Sequence, residues 1–237
     1  MKAFLIGATG GIGSALARRL TAKGVEVVLA GRNEEKLVML GQELGTRHIS
    51  LNAADFDALD QAVADAGPID ALVNCAGSLL LKPAHLTTER EFSETIELNL
   101  TTAFSAVRAG AKAMMNTGGS IVLCATAAAR TGMANHEAIA AAKGGVLGLT
   151  MAAAASYASR NIRVNCVAPG LVDTPLAERI TRNEASLKVS QAMHALGRIG
   201  KPEDIASAIA WLIDPENSWV TGQVLGVDGG LATVRPR

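Results

Sequence analysis

The segment Gly7-Ala-Thr-Gly10-Gly11-Ile-Gly13 is the first part of the chain whose residue types and spacing could do chemistry. Glycines let a backbone approach a pyrophosphate closely, and the N–H groups at a helix N-terminus favour an anion. The context fits, because a strand pattern at 2–6 leads into the loop and an amphipathic helix pattern follows at 14–23. Glycine turns also occur for packing alone, but a second strand pattern at 26–30 favours nucleotide binding.

Composition narrows the class of protein. The chain has 237 residues, a formal net charge of zero and 49% apolar residues, which gives no support for nucleic acid or a membrane as partner. The apolar residues never run unbroken over a membrane-spanning length, and the first residues read as a core strand rather than a signal peptide. Cys75, Cys124 and Cys166 are widely spaced, which argues against a disulfide framework or a zinc site. We therefore expect a cytoplasmic protein that binds a small molecule and no metal.

Strand and helix patterns alternate along the rest of the chain. Further strands are predicted at 47–51, 69–74, 120–125, 162–167 and 223–227, and further helices at 34–44, 55–66, 89–116, 136–159 and 202–213. The alternation predicts an α/β fold of Rossmann type, a doubly wound parallel sheet of about seven strands with helices on both faces. Residues 172–200 are less regular. We find no linker or repeat and expect one dinucleotide-binding domain over residues 1–237.

Ligands bind such sheets beyond the carboxyl ends of the strands, and several further motifs lie there or near the last helix. They are Asn74-Cys-Ala-Gly77, Asn99 in Glu97-Leu-Asn-Leu100, Lys143, Pro169-Gly170 with Thr174, Gly197-Arg-Ile-Gly-Lys-Pro-Glu-Asp204 and Thr221-Gly-Gln-Val-Leu-Gly-Val-Asp-Gly229. With the glycine loop, and in this order over essentially the whole chain, they resemble the short-chain dehydrogenase/reductase family. The resemblance implies an oxidoreductase that acts on a carbonyl or alcohol with a nicotinamide cofactor.

The resemblance also implies which residues bind that cofactor. They are Gly7, Thr9, Gly11, Ile12 and Gly13 at the pyrophosphate, Asn52 and Ala53 beside the adenine, Asn74, Ala76 and Gly77 along the adenine ribose, Lys143 at the nicotinamide ribose, and Pro169, Gly170, Val172 and Thr174 at the carboxamide. Asn74 alone could be a plain strand-end cap, and Lys143 alone a solvated helix lysine. All the matches together argue against those readings.

The end of the second strand, Ala30-Gly31-Arg32-Asn33, bears on the choice between NADP and NAD. An acidic residue there would accept hydrogen bonds from the ribose hydroxyls of NAD. Arg32 instead offers a guanidinium fork suited to a 2′-phosphate, so we expect Arg32 and Asn33 to contact the cofactor and NADP to be preferred. Arg32 could also stack on adenine or point to solvent, and the glycine loop adds no basic residue.

The usual catalytic set of the family is Asn, Ser, Tyr and Lys, with Tyr and Lys one helical turn apart. Asn99 and Lys143 match, and Thr126 keeps a hydroxyl at the Ser position. The Tyr position is Ile139, which has neither a proton nor a lone pair for acid or base catalysis. The only tyrosine, Tyr157, lies about five helical turns further along the same predicted helix.

His136 is the candidate replacement for the missing acid. His136, Ile139 and Lys143 lie at i, i+3 and i+7 and share a helix face, and an imidazole titrates near neutral pH. We expect Asn135 to cap this helix and Glu137 to stabilise its first turn. His136 could equally be an ordinary polar residue at a helix start.

Three functions remain open at this point. The first is an NADP-dependent oxidoreductase that uses Thr126, Asn99 and Lys143, with His136 or water for proton transfer. The second is a nucleotide-binding sensor or partner subunit with little or no turnover. The third is a lyase, dehydratase or isomerase on the same scaffold.

The sequence gives weaker evidence on the substrate and on the oligomeric state. Apolar residues that suggest a substrate wall are Leu176, Ile180, Leu187, Met193 and Leu196, although these would also serve in ordinary helix packing. The helix at 136–159 is rich in small residues and allows close helix-to-helix contact. With the strand at 223–227, and by resemblance to the family, it predicts a homodimer or homotetramer.

Overall fold

A computed structural model describes residues 1–235, and its centre is a parallel sheet of seven strands. The strands are β1 Lys2–Ile6, β2 Glu26–Gly31, β3 Arg47–Ser50, β4 Ala71–Asn74, β5 Gly119–Cys124, β6 Ile162–Pro169 and β7 Val224–Val227. Their order is β3-β2-β1-β4-β5-β6-β7, with every neighbouring pair parallel. The order reverses between β1 and β4, so a crevice lies there at the carboxyl edge. The predicted fold class is confirmed.

Helices cover both faces of the sheet. In the described part of the chain they are α1 Gly11–Ala22, α2 Glu34–Leu44, α3 Phe56–Ala66, α4 Glu89–Ile96, α5 Thr102–Met114, α6 Glu137–Tyr157, α7 Glu178–Thr181, α8 Glu184–Met193 and α9 Pro202–Ile213. Alternate strand residues point to opposite faces, so Phe4 and Leu72 join one apolar core and Leu5 and Val73 the other. The first core includes side chains of α3, α5 and α6, and the second includes side chains of α1, α2 and α9.

The predicted helix at 89–116 is wrong as one continuous element. A π-helical turn, Glu97–Thr101, separates α4 from α5. Such a turn adds a residue to the helix and rotates everything after it, and it is frequent at functional sites. Asn99 lies in this turn and is fully buried. By contrast, the predicted helices at 34–44 and 202–213 have the bounds that the sequence indicated.

The start of α6 and the segment 172–200 also differ from the sequence-based expectation. Asn135 does not cap α6, because its backbone has a φ of 64°, in the left-handed region, and the N-cap residue is His136. The carbonyl oxygen of Asn135 instead accepts the N–H of Lys82 at 2.8 Å. The segment 172–200 is more regular than expected, since it contains α7 and α8.

Helix α6 stands out for its apolar composition. By length and composition alone, the stretch Glu137–Arg160 would pass as a membrane span. In this fold α6 packs on β6 and α5 and contributes Val146 and Ala153 to the core. A core helix passes the same length and composition test, so the stretch is weak evidence for a membrane segment.

Candidate active site

The glycine loop after β1 leads directly into α1 and forms a site for an anion. Helix α1 begins at Gly11, its N-cap is Gly10, and no acidic residue lies in its first turn. The first N–H groups of a helix have no carbonyl partner within that helix, and the helix dipole attracts negative charge there. A Cβ atom on Gly13 would lie 2.2 Å from the carbonyl oxygen of Gly7, so no side chain fits at this position. With the half-buried Thr9, this loop fits the pyrophosphate of a dinucleotide.

The residues expected at the adenine end lie at the carboxyl ends of β2 and β3. Arg32 is exposed just beyond β2. Asn33 caps α2 with its side chain, and Asn52 Oδ1 accepts the N–H of Ala54 at 3.2 Å. Ala53 is buried. Both asparagines shape their own turns, and the exposed Arg32 is a cationic side chain between β2 and α2.

Asn74 closes β4 and supports the loop that crosses the crevice. The residue is buried, and its Oδ1 accepts the N–H of Ala76 at 3.0 Å. Its Nδ2 donates to Thr102 Oγ1 at 3.5 Å. This geometry is that of the strand-end cap that the sequence left open for Asn74.

A cavity of about 690 Å³ lies beyond the carboxyl ends of β4, β5 and β6. The residues expected from the sequence that line it are Ile12, Ala76, Gly77, Asn99, Thr126, His136, Ile139, Lys143, Pro169, Gly170, Val172 and Thr174. Its outer wall is apolar and comes from the loop after β4, from the 3-10 turn Pro175–Ala177, and from α7 and α8: Leu79, Leu81, Leu176, Ile180, Val189 and Met193. Leu187 and Leu196 line other pockets, so the structure does not bring them to this wall.

Lys143 lies on α6 and brings the permanent positive charge of the cavity. Only 7% of its surface is exposed, and its Nζ donates to the carbonyl oxygen of Cys124 at 2.7 Å. An ammonium group has three hydrogens, so two remain for ligand oxygens. Lys143 is therefore not the solvated helix lysine that the sequence left open.

Thr126 and Ile139 line the same cavity, but the Thr126 side chain is polar and the Ile139 side chain is apolar. Thr126 Oγ1 accepts the N–H of Ala128 at 3.3 Å, so its O–H is left to donate to a ligand. Ile139 is 3% exposed and lies one helical turn before Lys143. Its side chain fills that part of the wall with hydrocarbon and offers no hydrogen bond.

His136 is half-buried at the N-cap of α6 and lines the cavity. Its Nδ1 lies 2.7 Å from the carbonyl oxygen of Ala134, which places a hydrogen on Nδ1. Nε2 therefore carries a lone pair in the neutral ring and a hydrogen in the charged ring. The bond to Ala134 is compatible with both forms.

Four polar residues of the cavity were not anticipated from the sequence: Ser78, Ser186, Ser190 and His194. Ser78 accepts a hydrogen bond of 2.9 Å from Asn99 Nδ2. The only signal for Ser78 was that it directly follows the motif ending at Gly77. His194 lies ahead of the motif 197–204, and nothing in the spacing distinguished it from an ordinary histidine.

His194 joins the loop after β6 to the end of α8. The ring is buried, its Nε2 accepts the N–H of Leu171 at 3.2 Å, and its Nδ1 lies 2.6 Å from the carbonyl oxygen of Ser190. A Cβ atom on Gly170 would lie 2.5 Å from Nε2. The loop expected at the carboxamide therefore rests directly on this ring.

The thiols beside the cavity are unsuited to nucleophilic chemistry. Cys75 and Cys124 both line it and are free. Burial raises the pKa of each thiol, and this outweighs the opposing effect of the Lys143 ammonium. Burial also raises the pKa of Cys166 to about 12. The thiolate is the reactive form, so these protonated thiols do not supply a nucleophile near neutral pH.

Comparison with known proteins identifies the family. A family model described as Enoyl-(Acyl carrier protein) reductase matches residues 7–232. The chain is 34% identical over 235 residues to the 3-oxoacyl-[acyl-carrier-protein] reductase FabG of Rickettsia bellii, covering 98% of this chain and 97% of the relative. The chain belongs to the short-chain dehydrogenase/reductase family. The protein is therefore an oxidoreductase of that family.

Two further relatives agree with this membership in the short-chain dehydrogenase/reductase family. The Nodulation protein G of a Rhizobium species is 35% identical over 241 residues, covering 98% of this chain and 97% of the relative. A solved short-chain type dehydrogenase/reductase from Mycobacterium ulcerans is 29% identical with a TM-score of 0.94, covering 99% of this chain and 90% of that one. The similarity extends over the whole sheet and the cavity, so the resemblance inferred from the motifs is confirmed.

The loop after β4, which carries Ser78, is held in place by an ion pair. Lys82 Nζ lies 2.8 Å from Glu91 Oε2, and the N–H of Thr88 donates to the same carboxylate at 2.9 Å. These bonds lower the pKa of Glu91 to about 2, with the Lys82 bond as the largest cause. The carboxylate therefore fastens this loop to the start of α4.

We predict that Glu91→Gln lowers the melting temperature at pH 7 and that the difference from the natural chain disappears in acid. A carboxyl group with a lowered folded-state pKa stabilises the fold above its unfolded pKa, near 4.3 for Glu, and loses this effect as pH falls toward about 2. Thermal unfolding between pH 7 and pH 2 measures the difference. Glu89→Gln, at an exposed site on the same helix, is the control. A Glu91→Gln effect that persists undiminished at pH 2 would contradict the ion-pair explanation.

Proposed function

We propose that the protein is an NADP(H)-dependent oxidoreductase that interconverts a carbonyl and an alcohol. The observation that carries the proposal is the cavity that the Thr126 hydroxyl, the His136 imidazole and the Lys143 ammonium all line. This cavity adjoins the anion site of the glycine loop, as a cofactor that joins two nucleotides requires. Membership in the short-chain dehydrogenase/reductase family, with a relative named as a 3-oxoacyl reductase, supports the same class of reaction.

The cofactor would be held by groups from three strand ends and by one residue of helix α6. The N-terminus of α1 receives the pyrophosphate, Arg32 the 2′-phosphate, Lys143 the nicotinamide ribose, and the loop from Pro169 to Thr174 the carboxamide. When bound, NADPH supplies the hydride for reduction. The protein's own residues hold the reacting oxygen and move the proton.

Thr126 is the residue proposed to hold the reacting oxygen. Its Oγ1 already accepts the N–H of Ala128, which orients the hydroxyl hydrogen toward another acceptor. A carbonyl oxygen in the cavity would accept this hydrogen, and the bond strengthens as negative charge develops on that oxygen. Ile139 contributes only an apolar surface beside it.

His136 is the residue proposed to move the proton. In the charged ring Nε2 carries a hydrogen that it donates to the reacting oxygen during reduction, and in the neutral ring it accepts one during oxidation. The carbonyl oxygen of Ala134 accepts from Nδ1 throughout and so keeps the ring oriented. Neutral, largely apolar carbonyl compounds fit best, because the outer wall is built from Leu, Ile, Val and Met side chains.

A second candidate function is a nucleotide-binding sensor or partner subunit with little turnover. Ile139 favours it, because this buried side chain removes any proton donor from the position one turn before Lys143. The two candidates bind the same cofactor and differ in chemistry. Loss of a general acid typically lowers a rate about 10²–10⁴-fold, so turnover is the discriminating measurement.

For the cofactor, we predict that the chain binds NADPH more tightly than NADH and that Arg32→Ala weakens NADPH alone, by about 10–100-fold, through loss of a charged hydrogen bond. Fluorescence titration with both nucleotides measures this. Lys23→Ala, an exposed cation at the far end of α1, should change neither affinity. Equal or tighter NADH binding by the natural chain would refute the preference, and equal losses for both nucleotides would indicate adenine stacking by Arg32.

For catalysis, we predict weak or narrow reduction of ketones by the natural chain, and a rate about 10-fold higher or more in Ile139→Tyr, because a phenol would gain Lys143 as its partner. His136→Ala should lower turnover by about 10²-fold or more, because it removes the proposed general acid. NADPH oxidation with a ketone panel from pH 5 to 9 measures both.

The control for the histidine is His85→Ala, at an exposed site outside the cavity. If His136→Ala leaves turnover unchanged, water rather than the imidazole donates the proton. Robust turnover by the natural chain that is lost in Ile139→Tyr would overturn the account of this site.

For assembly, we propose a homodimer or homotetramer built through α6 and β7. Met151, Ala152 and Ala155 leave an exposed face of mostly small side chains on α6, and β7 is an edge strand with Leu225 exposed. We predict a mass above that of the monomer by light scattering at micromolar concentration, and a smaller mass for Ala155→Arg. Ala64→Arg, on the exposed face of α3, is the control. A monomeric natural chain would contradict the proposal.

A further inference from the structure

Ser78 presents a hydroxyl hydrogen with no acceptor in the described part of the protein. The residue follows Gly77 in the loop after β4, is half-buried and lines the cavity. Its N–H donates to Asn99 Oδ1 at 3.1 Å, and its Oγ accepts from Asn99 Nδ2 at 2.9 Å. Within residues 1–235 this Oγ donates to no other group. A hydroxyl that already accepts one hydrogen bond keeps its own hydrogen for a ligand.

Asn99 holds this hydroxyl rigidly. The asparagine is fully buried in the π-helical turn, and its Nδ2 also donates to the carbonyl oxygen of Thr95 at 2.9 Å. Its amide group is thus occupied on both sides, and it makes two bonds to Ser78. Both Nδ2 hydrogens of Asn99 are used within the protein, so of this pair Ser78 is the one that has a hydrogen left to donate to a ligand.

Lys143 approaches the loop that carries Ser78. A Cβ atom on the preceding residue, Gly77, would lie 3.3 Å from Lys143 Nζ and 2.8 Å from Asn99 Oδ1, the atom that accepts the N–H of Ser78. Ser78 and Lys143 also line the same cavity, so the hydroxyl and the ammonium are two donors at the carboxyl ends of β4 and β5. Two such donors suit a pair of neighbouring oxygens, such as the vicinal hydroxyls of a ribose.

The strand order indicates which ribose this is. A dinucleotide with its pyrophosphate at the loop after β1 and its carboxamide at the loop after β6 must cross the ends of β4 and β5 with the part between them. That part is the nicotinamide ribose. Resting on the cofactor site proposed above, we infer that Ser78 is a cofactor-binding residue whose hydroxyl donates to this ribose beside the Lys143 ammonium.

Ser78 matters for cofactor binding because residue 139 is an isoleucine. Ile139 is one turn before Lys143 and offers the ribose no hydrogen bond. Ser78 supplies a polar contact from a different strand end, so the ribose is held by more than the lysine alone.

The test is binding of cofactor fragments to the full chain. Ser78→Ala should weaken NADPH and reduced nicotinamide mononucleotide, each by about 5–30-fold, through loss of one hydrogen bond. It should leave adenosine 2′,5′-bisphosphate, which lacks the nicotinamide ribose, within about 2-fold of the natural chain. Fluorescence titration and calorimetry give these affinities without any substrate. Ser186→Ala removes another hydroxyl of the same cavity, on α8, and should change none of them.

Unchanged NADPH binding by Ser78→Ala would overturn the inference while the proposed function stands. Equal weakening of NADPH and the adenosine bisphosphate would also overturn it, because the substitution would then have disturbed the whole site. A natural chain that binds neither NADPH nor NADH would instead refute the proposed function, and the role of Ser78 with it.

Discussion

The close approach of the glycine loop to the loop after β4 is the constraint on which the rest of the site depends. Gly7 has a φ of 74°, and a Cβ atom there would lie 2.5 Å from the backbone nitrogen of Ala76. No side chain can therefore separate these two loops where the strand order reverses. This contact fixes the position of the α1 N-terminus relative to Ser78. The proposed pyrophosphate site and the proposed ribose contact of Ser78 are thus held at a set spacing.

Three polar side chains of the cavity each use part of their hydrogen-bonding capacity within the protein. Thr126 accepts from a backbone N–H, Ser78 accepts from Asn99, and Lys143 donates to Cys124. These internal bonds remove alternative orientations, so a ligand meets donors that are already directed. The arrangement also explains why Asn99 is buried. Its contribution to a ligand passes through the serine that it holds.

The sequence predicted the sheet, most helices and the family, because these depend on periodicity and on motifs with a fixed order. The π-helical turn at Glu97–Thr101 could not be predicted, since the apolar pattern continues through it without a break. The start of α6 was placed one residue early, because Asn135 adopts a left-handed backbone that composition does not reveal. Ser78 and His194 were missed for a related reason. Their importance comes from contacts with residues 21 and 23 positions away, and only the folded chain brings those together.

The ring of His194 has a consequence for energetics. It is hydrogen-bonded to Leu171 in the loop after β6 and to Ser190 near the end of α8. One side chain therefore links the two segments. We therefore expect a ligand that shifts α8 to shift the loop as well, and by thermodynamic linkage such an effect is reciprocal. In that case the affinity of a ligand under α8 has a fixed value only when the concentration of the ligand at the loop is stated.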